Sequence, residues 1–218
     1  MSKEISKYTN KTITLLPFGV NTDLFKPQKV KSLFPEGSFV MGTVKNLKPV
    51  YGIDILIEVF NLIKIKWPDF PVKLLIVGGG SQEAELKSLI EKYNLSDDTI
   101  FTGEVKNKNT PLYYNMMHMA AFLSHRESFG VAALEASACG IPVIVSKAPG
   151  FYESVVDGKS GLIIDTIHLE YVADVIKNLL IDERLQKEMG LFGRHWVQDN
   201  FEENKIVDNM INYYETCK

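Results

Sequence analysis

Residues 119–146 read MAAFLSHRESFGVAALEASACGIPVIVS, and this stretch decides the fold. Met119 to Ser124 is a short uncharged apolar run, the pattern of a strand buried on both faces. A helix is expected from about Gly130 to Ala138, and Pro142 to Ser146 is a second apolar strand. The same alternation extends in both directions. Phe39–Val44, Val72–Val77, Thr99–Phe101 and Gly161–Ile164 read as strands. Leu56, Val59, Phe60, Ile63 and Trp67 mark one face of a helix from Ile53 that stops at Pro68. Ser81 is the expected N-cap of a helix reaching about Tyr93, and Thr110-Pro111 opens a short one. From Leu169 the chain turns helical, with one stripe at Val172, Val175, Ile176, Leu179 and Leu180 and another from Ile206 through Val207, Met210 and Ile211 to Tyr214. Continuous apolar strands separated by helices predict an α/β domain with a doubly wound parallel sheet.

Composition removes several function classes. The 218 residues carry a net charge of −3, so there is no basic field for nucleic acid. Lys64/Lys66 and Lys106/Lys108 read as solvated faces. Cys139 and Cys217 lack metal-ligand spacing, which points to a reducing compartment, a cytoplasmic location and no disulfide framework. No apolar run approaches the ~18–20 residues of a membrane span, and Met1 to Asn10 lacks the apolar core of a signal peptide. Ile13 to Asp23, with Pro17, Gly19, Asn21 and Asp23, reads as a loop or linker.

Ligands of an open parallel sheet bind beyond the carboxyl ends of its strands. Glu127 lies in the loop after the Met119–Ser124 strand and Glu135 on the helix that follows. The amides of Phe129, Gly130 and Val131 are the unpaired donors at that helix start, where the macrodipole also favours an anion. Such carboxylates suit hydroxyl recognition, because each can accept from two vicinal sugar hydroxyls. Spacing alone favours a solvated loop Glu and a helix-surface Glu and leaves the hydroxyl-binding reading open. Lys45 and Lys48 follow the first strand and are candidate cations for a phosphate, or simply solvated. Gly78-Gly79-Gly80 fails the dinucleotide fingerprint because Glu83 occupies the third glycine position, so a tight turn beside the crevice is expected. Asp97/Asp98 is a weak ribose signal without that fingerprint. His118 and His125 lack a ligand cluster, so no metal is expected.

These residues together carry a resemblance. Glu127-Ser128-Phe129-Gly130 with Glu135 is similar to the E-x7-E signature of the family 4 retaining glycosyltransferases. So are Cys139 to Ile144, Gly150 to Glu153, and Asp157 to Leu162, while Leu15 to Asp23 with Phe25 and Pro27 resembles that family's interdomain linker. The resemblance implies a GT-B fold, two Rossmann-like domains with the active site between them. It divides the chain into a linker (1–27), a donor-binding domain (28–200) and a C-terminal helix (201–218), with the N-terminal acceptor domain absent.

By the same resemblance the substrate is a UDP- or GDP-sugar, with no cofactor and no metal. Glu127 would contact the sugar hydroxyls and Glu135 the ribose. The amides of Phe129, Gly130 and Val131 would meet the sugar or diphosphate, with Gly42 beside it and Val105 contacting the base. The family usually places a Lys directly before the glycine where Tyr51 precedes Gly52, so Lys45 stands in for the usual Arg and Lys48 for the second charge. Peripheral membrane contact of the full-length enzyme and a homodimer of this fragment, built on Ile206 to Tyr214, are further expectations. A glycoside hydrolase is disfavoured. On a continuous helix Glu127 and Glu135 would stand ~12 Å apart, beyond the roughly 5–9.5 Å of glycosidase pairs. A GT-B sugar-nucleotide epimerase, or a binding domain without turnover, remains an alternative.

Overall fold

A computed structural model describes Tyr8 and residues 16–216. Cys217, all of Met1 to Asn10 except Tyr8, and the first three residues of Ile13 to Asp23 lie outside the described residues. The strands are β1 (Phe39–Val44), β2 (Val72–Val77), β3 (Thr99–Phe101), β4 (Met119–Phe122), β5 (Val143–Ser146) and β6 (Gly161–Ile164). The helices are α1 (Ile53–Lys66), α2 (Glu83–Lys92), α3 (Thr110–Tyr114), α4 (Val131–Ala138), α5 (Phe151–Ser154), α6 (Leu169–Ile181), α7 (Glu183–Asn200) and α8 (Glu203–Thr216).

The six strands form one parallel sheet in the order β3-β2-β1-β4-β5-β6. This is the doubly wound, Rossmann-like order, and its direction reverses between β1 and β4. Loops leaving those two strands diverge and open a crevice at their carboxyl ends. Side chains alternate across the sheet. Met41, Leu74, Ile76, Met119 and Ile144 pack with Phe60 of α1 and Ile176 of α6. Val40, Leu75, Val77, Phe122 and Val145 pack on the other face with Leu134 of α4. Each large side chain buried in this way contributes about 1.5–3 kcal/mol relative to exposure. Burial on both faces is why these strands read as mainly apolar runs, with Lys73 of β2 the charged exception.

Two expectations are corrected. Ser81 does not cap α2; the cap position is Gln82, whose N–H is already held by the Leu47 carbonyl at 2.9 Å. The β4 pairing stops at Phe122, two residues early, although Leu123 and Ser124 stay buried. The helical region from Leu169 divides in two, α6 and the long helix α7, whose buried residues are Met189, Gly190, Gly193 and Val197. Its inner face uses small residues, and a Cβ on Gly190 would stand 2.1 Å from the Gly140 carbonyl oxygen. Glycine there is what lets α7 lie on the end of α4.

The segment before β1 stays attached to the domain. Val20 N–H donates to the Phe201 carbonyl at 2.7 Å, and Glu203 N–H returns to the Val20 carbonyl at 3.1 Å. Phe25 is buried, and the Arg194 guanidinium donates to its carbonyl at 3.2 Å. On α8 only Ile206 of the predicted stripe is buried, while Val207, Met210, Ile211 and Tyr214 are exposed.

Candidate active site

Lys45 leaves the end of β1, its N–H held by the Val77 carbonyl at 3.0 Å. Its Nζ lies 2.7 Å from Glu127 Oε2 in the loop after β4, across the reversal point of the sheet. The two side chains are only 12% and 9% exposed. A pair so nearly desolvated is held because each charge compensates the other, and removal of one partner strands its mate. The Tyr51 ring lies beneath the same ammonium, 4.5 Å from ring centroid to Nζ. The residue before Gly52 therefore faces Lys45 with an aromatic ring and brings no second charge.

The Glu127 loop is shaped by its neighbours. Gly150 N–H donates to the Glu127 carbonyl at 3.2 Å, and a Cβ on Gly150 would stand 2.6 Å from that oxygen. Gly130 caps α4 at φ 86°, a left-handed conformation that glycine adopts without steric cost. Among the described residues, the amides of Phe129, Gly130 and Val131 have no acceptor.

Glu135 lies one helical segment further on and is held differently. Asn107 Nδ2 donates to Oε1 at 3.0 Å, and the Tyr114 hydroxyl lies 3.0 Å from Oε2. Burial raises the Glu135 pKa above the ordinary carboxylate value, while these two donors and Lys45 pull it back. Burial, reinforced by the Glu135 charge, pushes the Tyr114 phenol well above its usual value, so it stays a donor.

Lys45 and Glu135 line one cavity of about 660 Å³, together with Gly78–Gly80, Val105 and Val131. The glycine run fits against the loop after β1, since a Cβ on Gly78 would stand 1.9 Å from the Lys45 carbonyl oxygen. This is the tight turn beside the crevice that the sequence predicts. Five expected residues lie outside this lining. Gly42 is mid-strand, where a Cβ would meet the Leu75 carbonyl oxygen at 2.6 Å. Lys48 is exposed at the start of the turn Pro49–Tyr51 and lies outside the lining. Phe129 packs edge-on between Phe18 and Phe201, at 5.5 and 5.8 Å, and Gly130 is buried against α5. Glu127 is the fifth; it pairs with Lys45, which does line the cavity.

Nothing local in the sequence marks Asn107 and Tyr114; only the fold brings them to Glu135. The secondary candidates resolve into structure. Asp98 pairs with Lys64 at 2.7 Å and also with Lys73, so Lys64 is an ion-pair partner and not a simple solvated lysine. His118 Nδ1 accepts from Val40 N–H at 3.0 Å. His125 is exposed. Burial raises the Cys139 thiol to about 12, which leaves it unreactive. Among the described residues, no group of three His, Cys, Asp or Glu side chains could hold a metal ion, and no helix is long and apolar enough to cross a membrane.

A parallel sheet with a lysine and two glutamates gathered at its reversal point defines a Rossmann-like ligand-binding domain. The chain belongs to the glycosyl transferases group 1 family, whose model matches residues 25–196. It is 30% identical over 200 residues to the GDP-mannose-dependent alpha-(1-6)-phosphatidylinositol monomannoside mannosyltransferase of Mycolicibacterium smegmatis, covering 86% of this chain and 52% of that protein. It is 31% identical over 214 residues to N-acetyl-alpha-D-glucosaminyl L-malate synthase of Bacillus anthracis, covering 89% and 55%. Among solved structures, sucrose-phosphate synthase of Thermosynechococcus elongatus superposes with a TM-score of 0.86 at 26% identity, over 99% of this chain and 56% of that one. The chain thus spans about half the length of the curated relatives it matches, and its architecture is that of one half of a GT-B glycosyltransferase.

Proposed function

We propose that this chain is the donor-binding domain of a retaining hexosyltransferase, and that its cavity takes a nucleoside diphosphate sugar. The observation that carries this reading is the convergence of Lys45 and Glu135 on one cavity at the β1/β4 reversal. Glu135 accepts from the ribose hydroxyls, and Val105 meets the base through its backbone. The open amides of Phe129, Gly130 and Val131, with the α4 dipole, receive the sugar or the diphosphate. Lys45 turns from Glu127 to the diphosphate as the donor enters, and Glu127 is then free to accept from the sugar hydroxyls.

In the reaction the bond from the anomeric carbon to the diphosphate oxygen breaks. The acceptor oxygen bonds to the same face of that carbon, and the acceptor proton passes to the departing phosphate. Lys45 and the helix start stabilise the charge that grows on the diphosphate, an electrostatic contribution. The M. smegmatis relative supports GDP as one candidate carrier, and UDP is the other.

A domain of this kind binds its donor without turnover until an acceptor domain faces it. The half-length coverage of the relatives favours that reading for the chain as it stands. The exposed stripe Val207, Met210, Ile211 and Tyr214 is the seat for that domain, or for a second copy in its absence.

The test is calorimetry with UDP, GDP and their sugars against wild type and Glu135→Ala. One of the nucleotides binds the wild type, and the variant binds it at least tenfold more weakly, the worth of losing hydrogen bonds to a charged group. Unchanged affinity in the variant overturns the site assignment.

A further inference from the structure

The two donors on Glu135 occupy different oxygens. Asn107 Nδ2 takes one lone pair of Oε1 at 3.0 Å, and the Tyr114 hydroxyl faces Oε2 at 3.0 Å. A carboxylate offers about four acceptor sites, two on each oxygen. One site on each oxygen therefore remains, and the residue lines the cavity. Two donors on opposite oxygens also fix the rotation of the carboxylate plane, which a single donor would leave free.

The two donors are unequal as anchors. Asn107 sits on an exposed turn, Asn107–Asn109. Tyr114 is fully buried at the end of α3, packed edge-on against Phe25 with ring centroids 6.3 Å apart. Its hydroxyl also lies 3.1 Å from the Ala132 carbonyl oxygen, but it has a single proton to give. The charged oxygen of Glu135 is the stronger acceptor, since hydrogen bonds to ionised groups are roughly twice as strong as neutral ones. A rigid aromatic stem thus sets the position of the carboxylate from beneath.

We infer that Tyr114 is the positioning residue of Glu135, orienting its carboxylate so that one free lone pair on each oxygen receives one of two vicinal ribose hydroxyls. This rests on the nucleotide-sugar reading of the cavity. It adds that the residue setting this geometry, Tyr114, lies outside the cavity lining and acts through Glu135.

The experiment compares UDP and GDP with their 2′-deoxy and 3′-deoxy counterparts by calorimetry, on the wild-type chain, Tyr114→Phe and Glu135→Ala, with thermal melting of each. For the wild type, removal of either hydroxyl from the nucleotide that binds weakens it roughly tenfold, the worth of one charge-assisted hydrogen bond. In Tyr114→Phe that discrimination is largely lost, because the ribonucleotide binds less well while the deoxynucleotides bind as before. A merely structural hydroxyl would lower the melting temperature and leave the ratio intact. If Glu135→Ala discriminates as the wild type does, the nucleotide reading of the site falls, and the inference with it. If Glu135→Ala loses the discrimination and Tyr114→Phe keeps the wild-type ratio, only the positioning role is overturned.

Discussion

Glu127 and Glu135 are eight residues apart in sequence, yet they are held by opposite means. Glu127 sits in a loop shaped by glycines and is neutralised by a cation, Lys45, over the ring of Tyr51. Glu135 sits on a helix and is satisfied by two uncharged donors. An ion pair can be traded, because an incoming anion competes for the lysine. A carboxylate fixed by neutral donors has no partner to surrender and serves as a stationary acceptor. The difference teaches that one part of the site is built to rearrange and the other to remain still.

The comparison breaks most visibly at Lys45. In the enzyme with both domains present, Lys45→Ala should lower kcat by about 10²–10³, the usual cost of one preorganised donor to a developing charge. Glu135→Ala should act mainly on KM for the donor. Steady-state kinetics on the two variants separates the roles, and equal effects on the same parameter would dissolve the distinction drawn here.

The loop side is tested by Gly130→Ala. The residue sits at φ 86°, and its Cβ would stand 2.5 Å from Ser154 Oγ and 2.8 Å from Phe151 Cδ1. Left-handed backbone costs about 1–2 kcal/mol for a non-glycine residue, and overpacking adds about 1–3 kcal/mol. At about 2–4 °C per kcal/mol for a chain of this size, the melting temperature should fall by roughly 4–20 °C. A melt within a degree of wild type would show that the loop yields easily.

The smallest effect has the opposite sign. Burial raises the pKa of Glu135 in the folded chain, so the folded state binds a proton there more readily than the unfolded state does. The associated stability is present below the ordinary carboxylate value and is lost as the pH rises through the folded value. Glu135→Gln should therefore melt slightly higher than wild type at pH 7, and the gain should vanish on acidification below the ordinary carboxylate range. A variant less stable at pH 7 would mean that the two donors outweigh the burial.

Much of this architecture is legible in the sequence. β1, β2, β5 and β6 are mainly apolar, with Lys73 of β2 the one charged residue among them, because both faces of the sheet are covered, and α1 and α6 show the stripes they bury. Helix α7 is less legible because Gly190 and Gly193 share its buried face with Met189 and Val197, weakening the helical signal while permitting the close approach. Glu127, Lys45 and Glu135 could be picked out because strand ends and a helix start mark where ligands gather. Tyr114 and Asn107 could not, since their contacts with Glu135 span 21 and 28 residues. Lys48 has the same composition and nearly the same position as Lys45, and only the turn at Pro49–Tyr51 sends it to solvent.

The hydrogen bonds joining Val20 to Phe201 and Glu203 have a mechanical consequence. Val20 and Glu202 run parallel at their bridge. A pull drawing residue 16 and residue 216 apart acts along that direction with opposite sense on the two segments. The two bonds are then loaded together in shear, and neither can peel before the other. The points where the backbone enters and leaves this domain thus form a single tether that resists tension as one unit.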